Sequence, residues 1–155
     1  MNFEQQPEEE KIFSQIRWTK PDIAYEMGEI DRVADHFGKT PEDALRIKQA
    51  LSERATQAEM LDLSEDLWRE LENTDSFDVA LGDYAPIREC VESQNRDYQA
   101  RVISQVRSIN QGATISAPII VRYGNILHLV SGNTRLMLAR AAGQTPKVVI
   151  VPISV

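Results

Sequence analysis

The sequence predicts an α+β fold: a small sheet with packed helices, preceded by an N-terminal helical region. Three observations carry this. Two β-rich runs, "APIIVRY" and "ILHLVS", flank Gly124-Asn125, a two-residue hairpin signal. The second run stops at Ser131-Gly132-Asn133-Thr134-Arg135, a helix pattern starts at once, and "KVVIVPISV" follows as a last strand. Upstream, apolar residues recur at helical spacing.

Taken in order, residues 1–11 are acidic, and a frayed end is expected. "IFSQIRWTKPDIAYEMGEIDRVADHFG" has scattered apolar residues and reads as short helices, with His36 at a helix end. Thr40-Pro41-Glu42-Asp43 is a helix start: a capping hydroxyl, a proline at the first helical position, and acids facing the positive end of the dipole. The helix runs to about Met60, with Ala44, Ile47, Leu51 and Ala55 on one face. Residues 61–82 read as a short helix around Trp68 and a polar loop, with Trp68 and Phe77 expected in the core. Asp83–Gln94 and Asp97–Ile109 read as two helices, ended by Gly112. Ile87 and Val91, then Val102, Val106 and Ile109, supply their apolar faces. The last helix spans Thr134–Ala142, with Gly143 just past its end. The expected organisation is an acidic helical region over 1–60 and a second unit over 61–155.

Composition narrows the function classes. Of 155 residues, 42% are hydrophobic, enough for a core and against wholesale disorder. Cys90 is the single cysteine, so no internal disulfide can form. It is expected as a small buried residue, and no metal ligand is assigned. The start, "MNFEQQPEEEK", has neither the basic nor the apolar part of a signal peptide, and no apolar run suits a membrane helix. A cytoplasmic protein with no membrane association is expected. The charge is uneven. The first 97 residues hold all 24 acids and 11 of the 17 bases, a net charge of −13; the rest hold six bases and no acid. An anion is therefore drawn to the C-terminal part. Any carboxylate acting there must come from the first 97 residues.

The turn Ser131–Arg135 has two readings. It can be a strand–helix turn and cap, or a phosphate site. A helix N-terminus offers unpaired amides and the positive dipole end. Gly132 leaves the backbone open to approach, Asn133 and Thr134 bring short polar groups, and Arg135 brings a fork suited to phosphate oxygens. "ELENTDSFD" is the expected source of a carboxylate: Glu70, Glu72, Asp75 or Asp78, with Glu72 and Asp75 the catalytic candidates. His128, mid-strand, reads as a packed or edge histidine.

Residues 117–153 resemble the core of the ParB/sulfiredoxin-like superfamily. Pro118-Ile119-Ile120-Val121 matches its first strand, Gly132-Asn133-Thr134-Arg135 its Gly-x-x-Arg turn, and Ala139, Ala142 and Gly143 its small-residue helix. The segment is also similar to uncharacterised ParB-like proteins of large tailed phages. The resemblance implies a small mixed sheet and a nucleotide or phosphate held by Pro118 and Ser131–Arg135. ATP or another nucleotide, with Mg2+, is the implied cofactor. Asn133 replaces the cysteine of sulfiredoxins, which excludes sulfinic acid reduction. Partition proteins carry Gly-Glu-Arg-Arg, bind CTP and continue into a DNA-binding domain, which is not expected here because the chain ends at Val155. Free-serine kinases have an aspartate where Ser131 stands and a histidine that this turn lacks, which weakens that activity.

Three function classes follow: a nucleotide-binding domain with phosphoryl-transfer or hydrolase activity; a non-catalytic interaction module whose acidic N-terminal helices meet a protein partner; and a DNA-binding or nuclease protein. The last is disfavoured by a pI near 4.9. "VADHFGKTPEDALRIKQAL" passes for a helix-turn-helix, but Glu42 and Asp43 sit at the tip of its second helix, with Arg46, Lys48 and Gln49 behind.

Overall fold

A computed structural model describes residues 11–93 and 96–154, except the side chains of Cys90, Val91 and Ser93. The burial expected of Cys90, the apolar role of Val91 and the fraying of residues 1–10 lie outside the described residues.

Strand β1 (Arg17–Thr19) precedes helix α1 (Ile23–Phe37), whose cap Asp22 accepts from the Tyr25 amide. Helix α2 (Pro41–Gln57) starts as its sequence implies, with Thr40 Oγ1 accepting from the Asp43 amide at 3.1 Å. Between them Gly38 is required by space. A Cβ there would stand 2.7 Å from the Ala44 nitrogen and 2.8 Å from the Ala34 oxygen, so only glycine lets α2 fold back on α1 so closely.

Strand β2 (Leu61–Asp62), helix α3 (Glu65–Glu70) and a 3-10 turn at Ser76–Asp78 follow. Next come α4 (Ala85–Ser93), α5 (Arg96–Asn110) and β3 (Thr114–Ser116). The hairpin of β4 (Ile119–Tyr123) and β5 (Ile126–Ser131) forms across Gly124-Asn125, then α6 (Asn133–Ala141) and β6 (Lys147–Ile153) complete the fold.

The main sheet has the order β2-β6-β4-β5. It is mixed: β4 pairs antiparallel with β5 and parallel with β6, from Ile119↔Val149 to Tyr123↔Ile153. The crossover between β4 and β6 therefore carries β5 and α6, which fixes α6 against the sheet. A second sheet is the parallel pair β1-β3.

Alternation along the strands makes two cores. Ile119, Val121, Val130, Val149 and Val151 meet Ile30, Val33, Ile47 and Leu51 of α1 and α2. Ile120, Leu127, Leu129 and Val148 meet Leu63, Trp68 and Leu71 on the other face, with Leu136 of α6. Trp68 lies in this core as expected, 2% exposed, and Phe77 packs against it. A third cluster joins Leu138, Ala139 and Ala141 of α6 to Val102, Val106 and Ile109 of α5.

One feature departs from what the sequence predicts. Residues 12–37 form one strand and one long helix, not short helices. The strand exists through its partner β3, whose register Arg17↔Thr114 no local pattern reveals. The helix is continuous because Ile23, Met27, Ile30, Ala34 and Phe37 fall at steps of four and three, one face of a single helix. Helices α1 and α2 of the N-terminal region cover one face of the main sheet. Among the described residues no helix is long and apolar enough to cross a membrane.

Candidate functional site

The turn after β5 is built around Gly132. Its φ of +106° lies where side chains are rare, and a Cβ would stand 2.7 and 2.8 Å from the Pro118 ring carbons and 3.1 Å from Arg135 Nη2. The glycine thus serves the close packing of Pro118 behind the turn. Pro118, a candidate binder by sequence, backs the turn and is not among the residues lining the cleft described below.

The chain then enters α6, one residue earlier than its pattern suggested. Gly132 is its N-cap, with no side-chain capping bond; α1, α2 and α3 are each capped by a side chain. First-turn amides of a helix have no intrahelical acceptor, so those of Asn133, Thr134 and Arg135 remain available with the positive dipole end.

The turn's side chains are held from three directions. Trp68 Nε1 donates to Ser76 Oγ at 2.9 Å, Ser76 meets Thr74 Oγ1 at 2.7 Å, and Thr74 donates to Asn133 Oδ1 at 2.5 Å. Since Thr74 spends its hydrogen on Asn133, the Ser76 hydroxyl must donate to Thr74. The bonds run one way from the buried indole to the turn, an arrangement in which each strengthens the next. Thr134 Oγ1 meets the Tyr98 hydroxyl of α5 at 3.1 Å. Arg135 donates through Nη1 to the Ser116 carbonyl at 2.7 Å and through Nη2 to Glu26 Oε1 at 2.8 Å. That pair is buried, with side chains 11% and 3% exposed.

This geometry revises the part expected of Arg135. Both terminal nitrogens of its fork are engaged, joining β3 and α1 to the turn. Glu26 lies beside the α1 stripe, three residues after Ile23 and four before Ile30, and its place there was the one sequence signal for this partner. Ser131 is different. It is 8% exposed, and its Oγ is, with Trp18 Nε1, one of two buried side-chain polar atoms among the described residues that lack a hydrogen-bond partner.

The turn forms part of the wall of a cleft of about 950 Å3, together with Tyr25, Glu26, Glu29 and Arg32 of α1, Tyr98 and Arg101 of α5, and β3. Ser131, Gly132, Asn133, Thr134 and Arg135 all line it. Its charge is mixed, because α1 brings two carboxylates to the acid-free C-terminal part. Arg32 pairs with Glu29, and Arg101 lies over the Tyr98 ring, 5.5 Å from its centre.

No known protein family, curated protein or solved structure matches this chain.

The two carboxylates chosen from the sequence are not brought together at the cleft, and neither is among its lining residues. Asp75 reaches the turn, where its Oδ1 accepts from Asn133 Nδ2 at 3.3 Å. Glu72 faces elsewhere: its Oε1 stands 2.6 Å from His128 Nδ1. The reason is backbone pairing. The Glu72 amide donates to the Leu127 carbonyl, and the Asn73 side chain bonds both the amide and the carbonyl of Leu129, so residues 71–73 run along the edge of β5. His128 is the edge histidine the sequence suggested, stacked on His36 from the last turn of α1, with ring centres 5.2 Å apart. No local pattern in the sequence joins His36, Glu72 and His128, because Glu72 and His128 alone are 56 residues apart.

The helix-turn-helix residues are engaged within the chain. Lys48 pairs with Asp31 at 2.8 Å, and Arg46 reaches the Ser154 carbonyl at 3.4 Å.

Proposed function

We propose that the cleft binds a phosphate-bearing nucleotide, with the phosphate at the N-terminus of α6. One observation carries this reading: an uncapped helix start opens into a cleft beside the unpartnered, buried Ser131 hydroxyl. A phosphate there accepts from the first-turn amides and from Ser131, the usual chemistry of a helix N-terminus. Pockets of this volume suit small-molecule ligands. Tyr25, 75% exposed on the cleft wall, offers a face for the base, and Arg101 a cation at the rim. The order β4, β5, turn, α6, β6 supports the ParB/sulfiredoxin-like reading of the same segment.

Arg135 acts in this reading by fixing the turn, while the amides and Ser131 contact phosphate. Of the two candidate carboxylates, Asp75 is the one in contact with the turn, so a role toward Mg2+ or a reacting water falls to Asp75. The engaged Arg46 and Lys48, with the acidic α1 wall, weigh against DNA as the ligand.

The test uses a variant whose two effects have opposite sign. Removing an unsatisfied buried hydroxyl spares its desolvation penalty, so Ser131→Ala leaves the free protein as stable as wild type or more so. The same change weakens the stabilisation given by ATP, ADP, CTP or GTP, measured as a thermal shift with and without Mg2+. A ligand at 100 times its Kd adds about 2.7 kcal/mol to stability. No shift with any nucleotide, or an equal shift in Ser131→Ala, removes the assignment. Product analysis after incubation with ATP separates an enzyme from a silent binder.

A further inference from the structure

We infer that His36, Glu72 and His128 form a binding site for a first-row divalent metal ion of the zinc class. The three residues come from three separate elements: the last turn of α1, the edge segment after α3, and β5. Each offers one ligand atom, and these atoms lie within 4.8 Å of one another. Ligands about 2.0–2.2 Å from one tetrahedral ion stand roughly 3.4 Å apart. The widest spacing therefore exceeds coordination geometry by at most about 1.4 Å. His36 and Glu72 are exposed, so rotation of these two side chains closes the gap.

The surroundings are those of a held site. His128 is the fixed member, its side chain 12% exposed. Phe37 packs edge-on against both imidazoles, with ring centres at 4.7 and 5.0 Å, and stacks on Tyr123 at 4.6 Å. That apolar backing holds the His128 ring and lowers the local dielectric, as the outer layer of a metal site does. Glu72 is fixed through its own backbone, whose amide donates to the Leu127 carbonyl. His128 Nδ1 and Glu72 Oε1 already stand 2.6 Å apart, within hydrogen-bonding distance.

The donor set selects the ion. Two imidazoles and one carboxylate suit zinc and its neighbours; Mg2+ and Ca2+ prefer oxygen alone. Three protein ligands leave a fourth position for water or an incoming group. The site is distinct from the turn but close to the cleft. Arg32, which lines the cleft, and His36 are one turn apart on α1, and Asn73, also in the lining, stands 3.3 Å from His128 Nε2.

The experiment uses the full chain, free of any histidine tag and stripped by chelator, and needs no nucleotide. Zinc titrated against a competing indicator binds one ion per chain. Cobalt(II) in its place gives the visible absorption of a four- or five-coordinate centre, and Mg2+ does neither. His36→Ala and Glu72→Gln, both at exposed positions, each weaken zinc binding at least tenfold while circular dichroism shows the fold intact. Cys90→Ser leaves it unchanged. Absence of zinc uptake by the folded wild type, unchanged affinity in His36→Ala or Glu72→Gln, or loss of binding in Cys90→Ser overturns the assignment.

Discussion

Replacing Glu26 by glutamine removes one charge from the most buried ion pair among the described residues, Glu26–Arg135 at 2.8 Å. The geometry sets the magnitude. Unit charges about 4 Å apart at an effective dielectric constant near 20 attract by roughly 4 kcal/mol. Much of this offsets the desolvation of both groups, so the pair itself adds little net stability. Breaking it is another matter, because Arg135, 11% exposed, keeps its charge and is left with neutral oxygens as its partners. Removing one member of such a pair costs about 3–5 kcal/mol. The retained amide oxygen of glutamine puts Glu26→Gln near 3 kcal/mol. For a chain of this length, about 2–4 °C per kcal/mol gives a Tm lower by roughly 6–12 °C. Arg135→Met strands the carboxylate instead and falls in the same range. The double variant leaves neither charge exposed to the interior alone. It is less destabilised than the sum of the singles by about 2 kcal/mol, a coupling read from urea unfolding of all four proteins. A loss below about 0.5 kcal/mol in Glu26→Gln, or additive singles, refutes the view that Arg135 holds the turn through Glu26.

Gly132→Ala combines a positive φ with a collision at Pro118 and loses about 2–5 kcal/mol. Gly143→Ala, at φ +68° with nothing within 4 Å of the added carbon, isolates the conformational part and loses about 1 kcal/mol. Equal losses in urea unfolding contradict the packing argument. Burial pushes the Tyr84 phenol up from its ordinary value of 10.0, and the hydrogen bond from the Ile12 amide partly offsets this. A raised folded-state pKa means stability that is fully present below the unfolded value and lost as pH rises through the folded one. The segment at Ile12–Ile16 is therefore released on the alkaline side of pH 10, seen as protease access to that segment. Tyr84→Phe abolishes that pH step; a step that persists in it assigns the release to another group.

Much of the C-terminal half was legible. The hairpin at Gly124-Asn125, the turn into α6, the last strand and the Thr40 cap all rest on local chemistry: glycine at turns, capping oxygens, and periods of two and 3.6. The candidate site was legible in part. The five residues of the turn do meet in one cleft, because they are contiguous. Glu72 and Asp75 share the acidic stretch "ELENTDSFD", but backbone pairing of residues 71–73 with β5 turns Glu72 toward His128.

By itself, then, the sequence determined the α+β class, the turn at Ser131–Arg135 and the separation of charge about Asp97, since each depends on neighbours in the chain. The tertiary structure decided the rest. It set β1 beside β3, put α1 and α2 on the main sheet, closed Arg135 onto Glu26, and gathered His36, Glu72 and His128. Each of these joins residues far apart in the chain. Burial of apolar surface brings them together, and no local propensity encodes which polar groups then meet.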